Sequence, residues 1–170
     1  MKKIHIRKLN KITSESEIDV SFLSPLVRRR LSLLDKAVLT TMDKSYDNIV
    51  EEIVFSSVYG EFSRLNTIIE QYQECDEVSP AQFSASVHNF PVGFFTLNKK
   101  LNIPYYALTS FEAGLVKSVI SNKETLCTYS DVYDGVKSIS FIVSPQKGDY
   151  EFENLEEVKR FFSELDGWLY

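Results

Sequence analysis

Residues 103–121 read Ile103-Pro104-Tyr105-Tyr106-Ala107-Leu108-Thr109-Ser110-Phe111-Glu112-Ala113-Gly114-Leu115-Val116-Lys117-Ser118-Val119-Ile120-Ser121. Tyr105–Leu108 is a short β-rich run, Thr109–Gly114 a turn, and Glu112–Ser121 a helix that places Leu115, Val116, Val119 and Ile120 inside. Upstream, Ser79-Pro80 leads into a helical region between Pro80 and Lys99 that carries Asn89 and Gly93. A strand that ends in a tight turn and opens a helix is the repeating unit of α/β layer folds.

Outward from this unit the pattern repeats. Glu51–Ser57 is a buried strand rich in β-branched and aromatic residues, and its last residues Ser56 and Ser57, with Gly60, make a strand-to-helix turn. Phe62, Leu65, Ile68, Ile69 and Tyr72 then form the apolar stripe of a helix. Before it, Ser24-Pro25 opens one helix that carries Val27, Leu31, Leu34, Val38 and Thr41 or Met42 and ends near Lys44, since serine caps free amides and proline fits the first helical position. Lys3–Leu9 is a strand and Asn10–Asp19 a loop. Thr125–Val132 and Ser138–Ser144 are two more strands, the second alternating Ile139, Phe141 and Val143. Leu155, Val158, Phe161, Phe162 and Leu165 mark a last amphipathic helix, stopped at Gly167. The alternation of strands and helices predicts an α/β fold with a mostly parallel sheet.

The chain has 170 residues, a net charge of −5, 44% hydrophobic and 25% charged residues. Such a chain buries roughly two-thirds of its unfolded surface as one domain, 1–170. Its acidity argues against a general nucleic-acid surface, and Asp149, Glu151, Glu153, Glu156 and Glu157 read as a solvated face. No apolar run approaches the roughly 20 residues of a membrane span, and the basic N-terminus has no signal-peptide core, so a cytoplasmic location is expected. Cys75 and Cys127 make no zinc pattern and are expected to be reduced structural thiols. No Gly-rich loop with a following Lys-Ser/Thr accompanies Ser56-Ser57, which argues against a nucleotide site.

Taken in order, Ser79-Pro80, Asn89, Gly93, Ile103-Pro104, the strand Tyr105–Leu108 and the turn Thr109–Gly114 resemble the centre of a β-ketoacyl synthase. Three further strings are similar to that family. Ser24-Pro25-Leu26-Val27-Arg28-Arg29-Arg30-Leu31 resembles its arginine-rich helix start, Phe55-Ser56-Ser57-Val58-Tyr59-Gly60-Glu61 its strand end and glycine turn, and Phe83-Ser84-Ala85-Ser86-Val87-His88-Asn89 the approach to its central helix. The resemblance covers about Ser24 to Ser144, the N-terminal half of a synthase. Within the superfamily it is to the chain-length-factor-like proteins of bacterial polyene pigment pathways. It implies a layered, thiolase-like α/β half-fold with a mostly parallel mixed sheet flanked by helices.

The departures from the family decide the expected function. Where the resemblance places the acylated cysteine, the chain carries Phe111 or Glu112, depending on a one-residue choice of alignment. Neither side chain takes an acyl group as a thioester. The family's two histidines and lysine belong to the second half of the synthase fold, whereas the histidines here are His5 and His88. The resemblance therefore implies a non-catalytic subunit with no cofactor and no metal. Its partners would be a ketosynthase subunit and an acyl carrier protein, or a second copy of itself, with no nucleic acid and no membrane insertion. The pathway would make polyketides, aryl polyenes or fatty-acid-like chains.

Two other classes stay open: a stand-alone homodimeric protein holding an acyl or aromatic ligand near Phe111, and an enzyme of different chemistry using Glu112 and His88. His88, Asn89, Tyr105 and Tyr106 are candidate pocket or interface residues. Asn89 has an amide suited to tying two backbone segments together. Arg28, Arg29 and Arg30 sit where a helix dipole disfavours cations, so either a salt-bridge network or a partner site explains them. Glu112 favours a helix start, and Phe111 suits core packing or plugging of the former acyl site.

Overall fold

The computed structural model describes residues 3–74 and 77–165. Six strands make one sheet: β1 (Ile4–Thr13), β2 (Glu52–Ser56), β3 (Tyr105–Leu108), β4 (Thr125–Asp131), β5 (Lys137–Ser144) and β6 (Tyr150–Phe152), in the order β3-β2-β4-β5-β1-β6. The sheet is mixed. β3-β2-β4 pair in parallel, and the β4-β5, β5-β1 and β1-β6 pairings are antiparallel. The parallel half is the one that carries the strand-turn-helix unit at residue 105. The short edge strand β6 was not expected.

Alternation along β5 divides the core between the two sheet faces. Ile139, Phe141 and Val143 point to the face covered by α6 (Phe111–Ser121) and α7 (Leu155–Glu164), where they cluster with Leu115, Cys127, Val158 and Phe162. Ser138, Ser140 and Ile142 point the other way, beneath α2 (Leu33–Ser45) and α5 (Phe90–Lys99). There the small residues Ala37, Thr41 and Ser45 let α2 settle close to the sheet. The Thr41 hydroxyl lies 2.9 Å from those of Ser138 and Ser140, and Ser45 donates to the Ser140 carbonyl at 2.9 Å. Buried hydroxyls are tolerable there because each finds such a partner.

Strand β1 runs on through residues expected to form a loop. Arg7 pairs with Ile142 but Asn10 with Ser140, so one extra residue bulges at Lys8, whose φ is +52°. The bulge reverses the face that later residues present. Ile6 accordingly packs beneath α7, whereas Ile12 lies with Ala37 on the opposite face.

Three helical expectations need correction. The helix expected from Pro25 to Lys44 is two: α1 (Pro25–Arg28) ends early, and Ser32 opens α2 through a reciprocal capping box with Asp35. The helix expected between Pro80 and Lys99 is also two, α4 (Pro80–Ser84) and α5, separated by Ala85–Asn89. In α3 (Phe62–Gln73) only Ile68 of the expected stripe is buried, and Phe62, Leu65, Ile69 and Tyr72 are exposed. Cys75 and the helix stop at Gly167 lie outside the described residues. Among the described residues no helix is long and apolar enough to cross a membrane.

Candidate functional site

The turn after β3 is built by local rules. Ser110 is extended (φ −149°, ψ 151°) and its hydroxyl accepts from the Ala113 amide at 3.2 Å, capping α6. Helix α6 therefore starts at Phe111, one residue earlier than expected. Gly114 lets the helix approach β2: a Cβ there would sit 2.2 Å from the Ser56 hydroxyl oxygen, which is itself buried without a hydrogen-bond partner.

Phe111 and Glu112 separate sharply. Phe111 is 6% exposed, and its ring meets Tyr129 at 5.7 Å, Phe141 at 6.3 Å and Phe162 at 5.1 Å between centroids. Its volume is filled by ring packing. Glu112 is 65% exposed at the side chain and pairs with Lys159 of α7 at 2.5 Å. That carboxylate raises the Lys159 ammonium above its ordinary range, with Glu156 adding to the effect.

His88 donates from Nε2 to the Leu108 carbonyl at 2.9 Å, the same oxygen that accepts from the Ser57 amide at 3.1 Å. The tautomer follows from the acceptor: Nε2 carries the proton and Nδ1 faces Gly60. Gly60 has φ +53°, and a Cβ there would lie 2.8 Å from Nδ1. The ring also packs 5.7 Å from Phe55, on the α2–α5 face, while Glu112 reaches across the other face to α7. The two groups do not converge, so the enzyme reading built on Glu112 and His88 loses its geometry. Asn89 is exposed at the start of α5 and makes no side-chain cap bond, so the bridging role expected of its amide is not seen.

Tyr105 and Tyr106 lie on opposite faces of edge strand β3. The Tyr105 hydroxyl approaches Gly93 of α5, and the Tyr106 ring lies beneath the Lys117 ammonium at 4.1 Å. Lys117 in turn bonds buried Glu52 at 2.9 Å. Both tyrosines remain more than a third exposed, and Leu97 of α5 is also exposed beside this edge of the fold.

Two acidic groups organise this end of the sheet and were missed in the sequence. Asp131 closes β4, and its carboxylate accepts from the Ser57 hydroxyl at 2.7 Å and from the Val58 and Tyr59 amides at 3.0 and 2.9 Å. The turn after β2 thus spends its amides on an internal carboxylate, which gives a physical reason for excluding a phosphate there. Asp35 and Glu61 form the second group with Arg64. Arg64 bonds Asp35 at 2.9 Å and Glu61 at 3.1 Å, and the Ser32 hydroxyl donates to Glu61 at 2.6 Å. Burial, with Asp35 beside it, pushes the Glu61 carboxyl up to about 7. Only the Ser32-x-x-Asp35 spacing hinted at this in the sequence.

Arg29 and Arg30 are exposed, and with Arg28 they make no ion pair with a described residue. Arg29, Arg30 and Arg64 line a groove of about 640 Å³ between the α1–α2 turn, α3 and α4. Cys127 is buried and its thiol is pushed up to about 12 by desolvation, as a structural thiol should be. No cluster of potential metal ligands occurs among the described residues.

The family model "Beta-ketoacyl synthase, N-terminal domain" matches residues 5–134. No curated protein matches the chain. Among solved structures, a ketosynthase (ApeO) in complex with its chain length factor (ApeC) from Xenorhabdus doucetiae aligns with a TM-score of 0.69 and 18% identity, covering 86% of this chain and 79% of that one. This is a likeness of fold, and it bears out the layered, thiolase-like half-fold expected from the sequence.

Proposed function

The chain belongs to the β-ketoacyl synthase family, through its N-terminal domain, and on that premise we propose that it is a non-catalytic, chain-length-factor-type subunit that pairs with a ketosynthase. The observation that carries the reading is Phe111. The turn that resembles the family's nucleophile turn presents a buried ring packed among Tyr129, Phe141 and Phe162. A synthase needs a thiolate at a helix start, where the dipole favours the anion and a thioester can form and exchange. A phenyl ring offers neither. Glu112 is no substitute, since its carboxylate is engaged by Lys159.

The pairing surface in this proposal is the edge formed by β3 and α5. Strand β3 ends the sheet, with Tyr105, Tyr106 and Leu97 exposed beside it. Open edges flanked by apolar side chains are usually occupied by partners. In this reading residues 1–170 act as one such domain in the cytoplasm, and β5, β6 and α7, which lie beyond the matched residues, pack onto the same sheet. The carrier protein of the same polyketide, aryl-polyene or fatty-acid-like pathway approaches the exposed Arg29 and Arg30, whose charge suits an acidic surface. The ligand-binding alternative asks for space near Phe111, a place already taken by rings.

The test is copurification of the tagged protein from its native source, followed by incubation with acyl- and malonyl-carrier thioesters. A ketosynthase should accompany it, and the protein alone should form neither a ketoacyl product nor a stable acyl adduct. Condensation by the pure chain would overturn the reading.

A further inference from the structure

Helix α3 is held to the body in an unusual way. Of its apolar residues only Ile68 is buried, so the burial that normally seats a helix is largely missing here. Its fastening is polar and lies in its first turn. Glu61, just before the helix, and Arg64, within it, meet Ser32 and Asp35 at the start of α2. The Arg64 guanidinium also lies 5.6 Å over the Phe90 ring of α5.

The charges in this fastening do not balance. Two carboxyl groups, Asp35 at 0% and Glu61 at 6% exposure, share one guanidinium, and one Asp35 oxygen (Oδ1) has no hydrogen-bond partner. Two desolvated carboxylates that share one cation cannot both stay ionised cheaply, which favours holding one proton on the pair. The other charged groups nearby do not neutralise the pair. Arg29 and Arg30 line the open groove beside Arg64, His88 turns Nδ1 toward Gly60, and Asp131 is committed to the Val58 and Tyr59 amides.

We propose that the Asp35–Glu61 carboxyl pair is a proton-operated latch for α3: with one shared proton the helix is seated on α2, and when that proton leaves the seat loosens. Loosening would widen the groove lined by Arg29, Arg30 and Arg64 and free the exposed face of Phe62, Leu65, Ile69 and Tyr72 to move. The β-sheet, whose strands do not depend on this contact, would stay intact. The latch is independent of the pairing role proposed above.

Amide hydrogen exchange of the full chain, corrected for intrinsic pH dependence, tests it. Protection of α3 amides from Leu65 onward should fall by up to about tenfold per pH unit between about pH 5 and 7, then level off, while β2, β4 and β5 amides hold their protection. Glu61→Gln, which keeps a hydrogen-bonding group but cannot ionise, should remove this dependence. It leaves His88 in place, so a dependence arising from that ring would persist in the variant. Carboxyl carbon NMR of the unaltered protein gives a second measurement that needs no variant. One carboxyl of the pair should titrate near neutrality. The proposal is overturned if α3 protection follows the sheet at every pH, if Glu61→Gln keeps the dependence, or if both carboxyls titrate in the ordinary carboxylate range.

Discussion

The rings of Phe111 and Phe162 meet edge to face, 5.1 Å between centroids and 70° between planes. The first residue of α6 is thereby locked to the inner face of α7. Edge-to-face pairs add roughly 0.5–1.5 kcal/mol beyond burial, so this contact ties the nucleophile-like turn to the C-terminal helix.

Phe111→Cys should open a cavity and lower stability by about 1–4 kcal/mol, and Phe111→Ala by about 3–5 kcal/mol. Glu112→Cys should cost about 1 kcal/mol or less, because an exposed ion pair with Lys159 contributes little. Neither cysteine should condense thioesters, since an isolated thiol lacks the oriented groups that polarise the substrate. Thermal melts beside a condensation assay check all three. A neutral Phe111→Cys with a severe Glu112→Cys would reverse the assignment of which residue fills the site.

Gly114→Ala should destabilise by about 1–3 kcal/mol, because the new methyl group meets the Ser56 hydroxyl oxygen at 2.2 Å. Ser56→Ala alone should be near neutral or stabilising, since it removes a buried hydroxyl with no partner. The double variant should recover much of the Gly114→Ala loss. Additive losses in chemical denaturation would show that α6 does not approach β2 through this contact.

Tyr106→Asp should weaken association without unfolding the chain, because the ring lies on the outer strand β3 and is partly exposed. Sedimentation at micromolar concentration, of the chain alone and with any ketosynthase that copurifies, reads the effect. An unaltered chain that is a compact monomer and binds no ketosynthase would remove the interface argument.

Stability should peak in mildly acidic solution. Glu61 sits near 7 in the fold against an ordinary 4.5, so its contribution is complete below about 4.5 and is lost as pH rises toward 7. Asp35, raised by the same burial, acts in the same sense. Asp47 and Glu52 act in the opposite sense. Their partners Arg7 and Lys117 outweigh the burial that opposes ionisation and hold both below their ordinary values, so their contribution is lost as pH falls through the folded values. Denaturation midpoints from about pH 2 to 8 should trace both arms, the lower one falling below about pH 4, and Glu61→Gln should flatten the upper one.

Sequence alone determined what depends on neighbours in the chain. The alternation of Ile139, Phe141 and Val143 set β5, the Tyr105–Gly114 run set the strand, turn and helix, and the periodicity of Val158 and Phe162 set α7. Those signals come from side-chain spacing and survive whatever the rest of the protein does. The Ser32–Asp35 cap went unread, because the continuous stripe from Val27 to Met42 concealed the break before it.

Tertiary structure decided the rest. The bulge at Lys8 reversed the faces of β1, because a single extra residue flips a period of two. The α3 stripe reads like a core face, yet among the described residues no packed element covers most of it, and spacing cannot say whether a cover exists. Asp131 found the amides of Val58 and Tyr59, and Glu61 found Asp35, only when chain-distant segments met. Local periodicity identifies which residues are apolar and which elements they form. Burial and ionisation depend on what the fold brings against them.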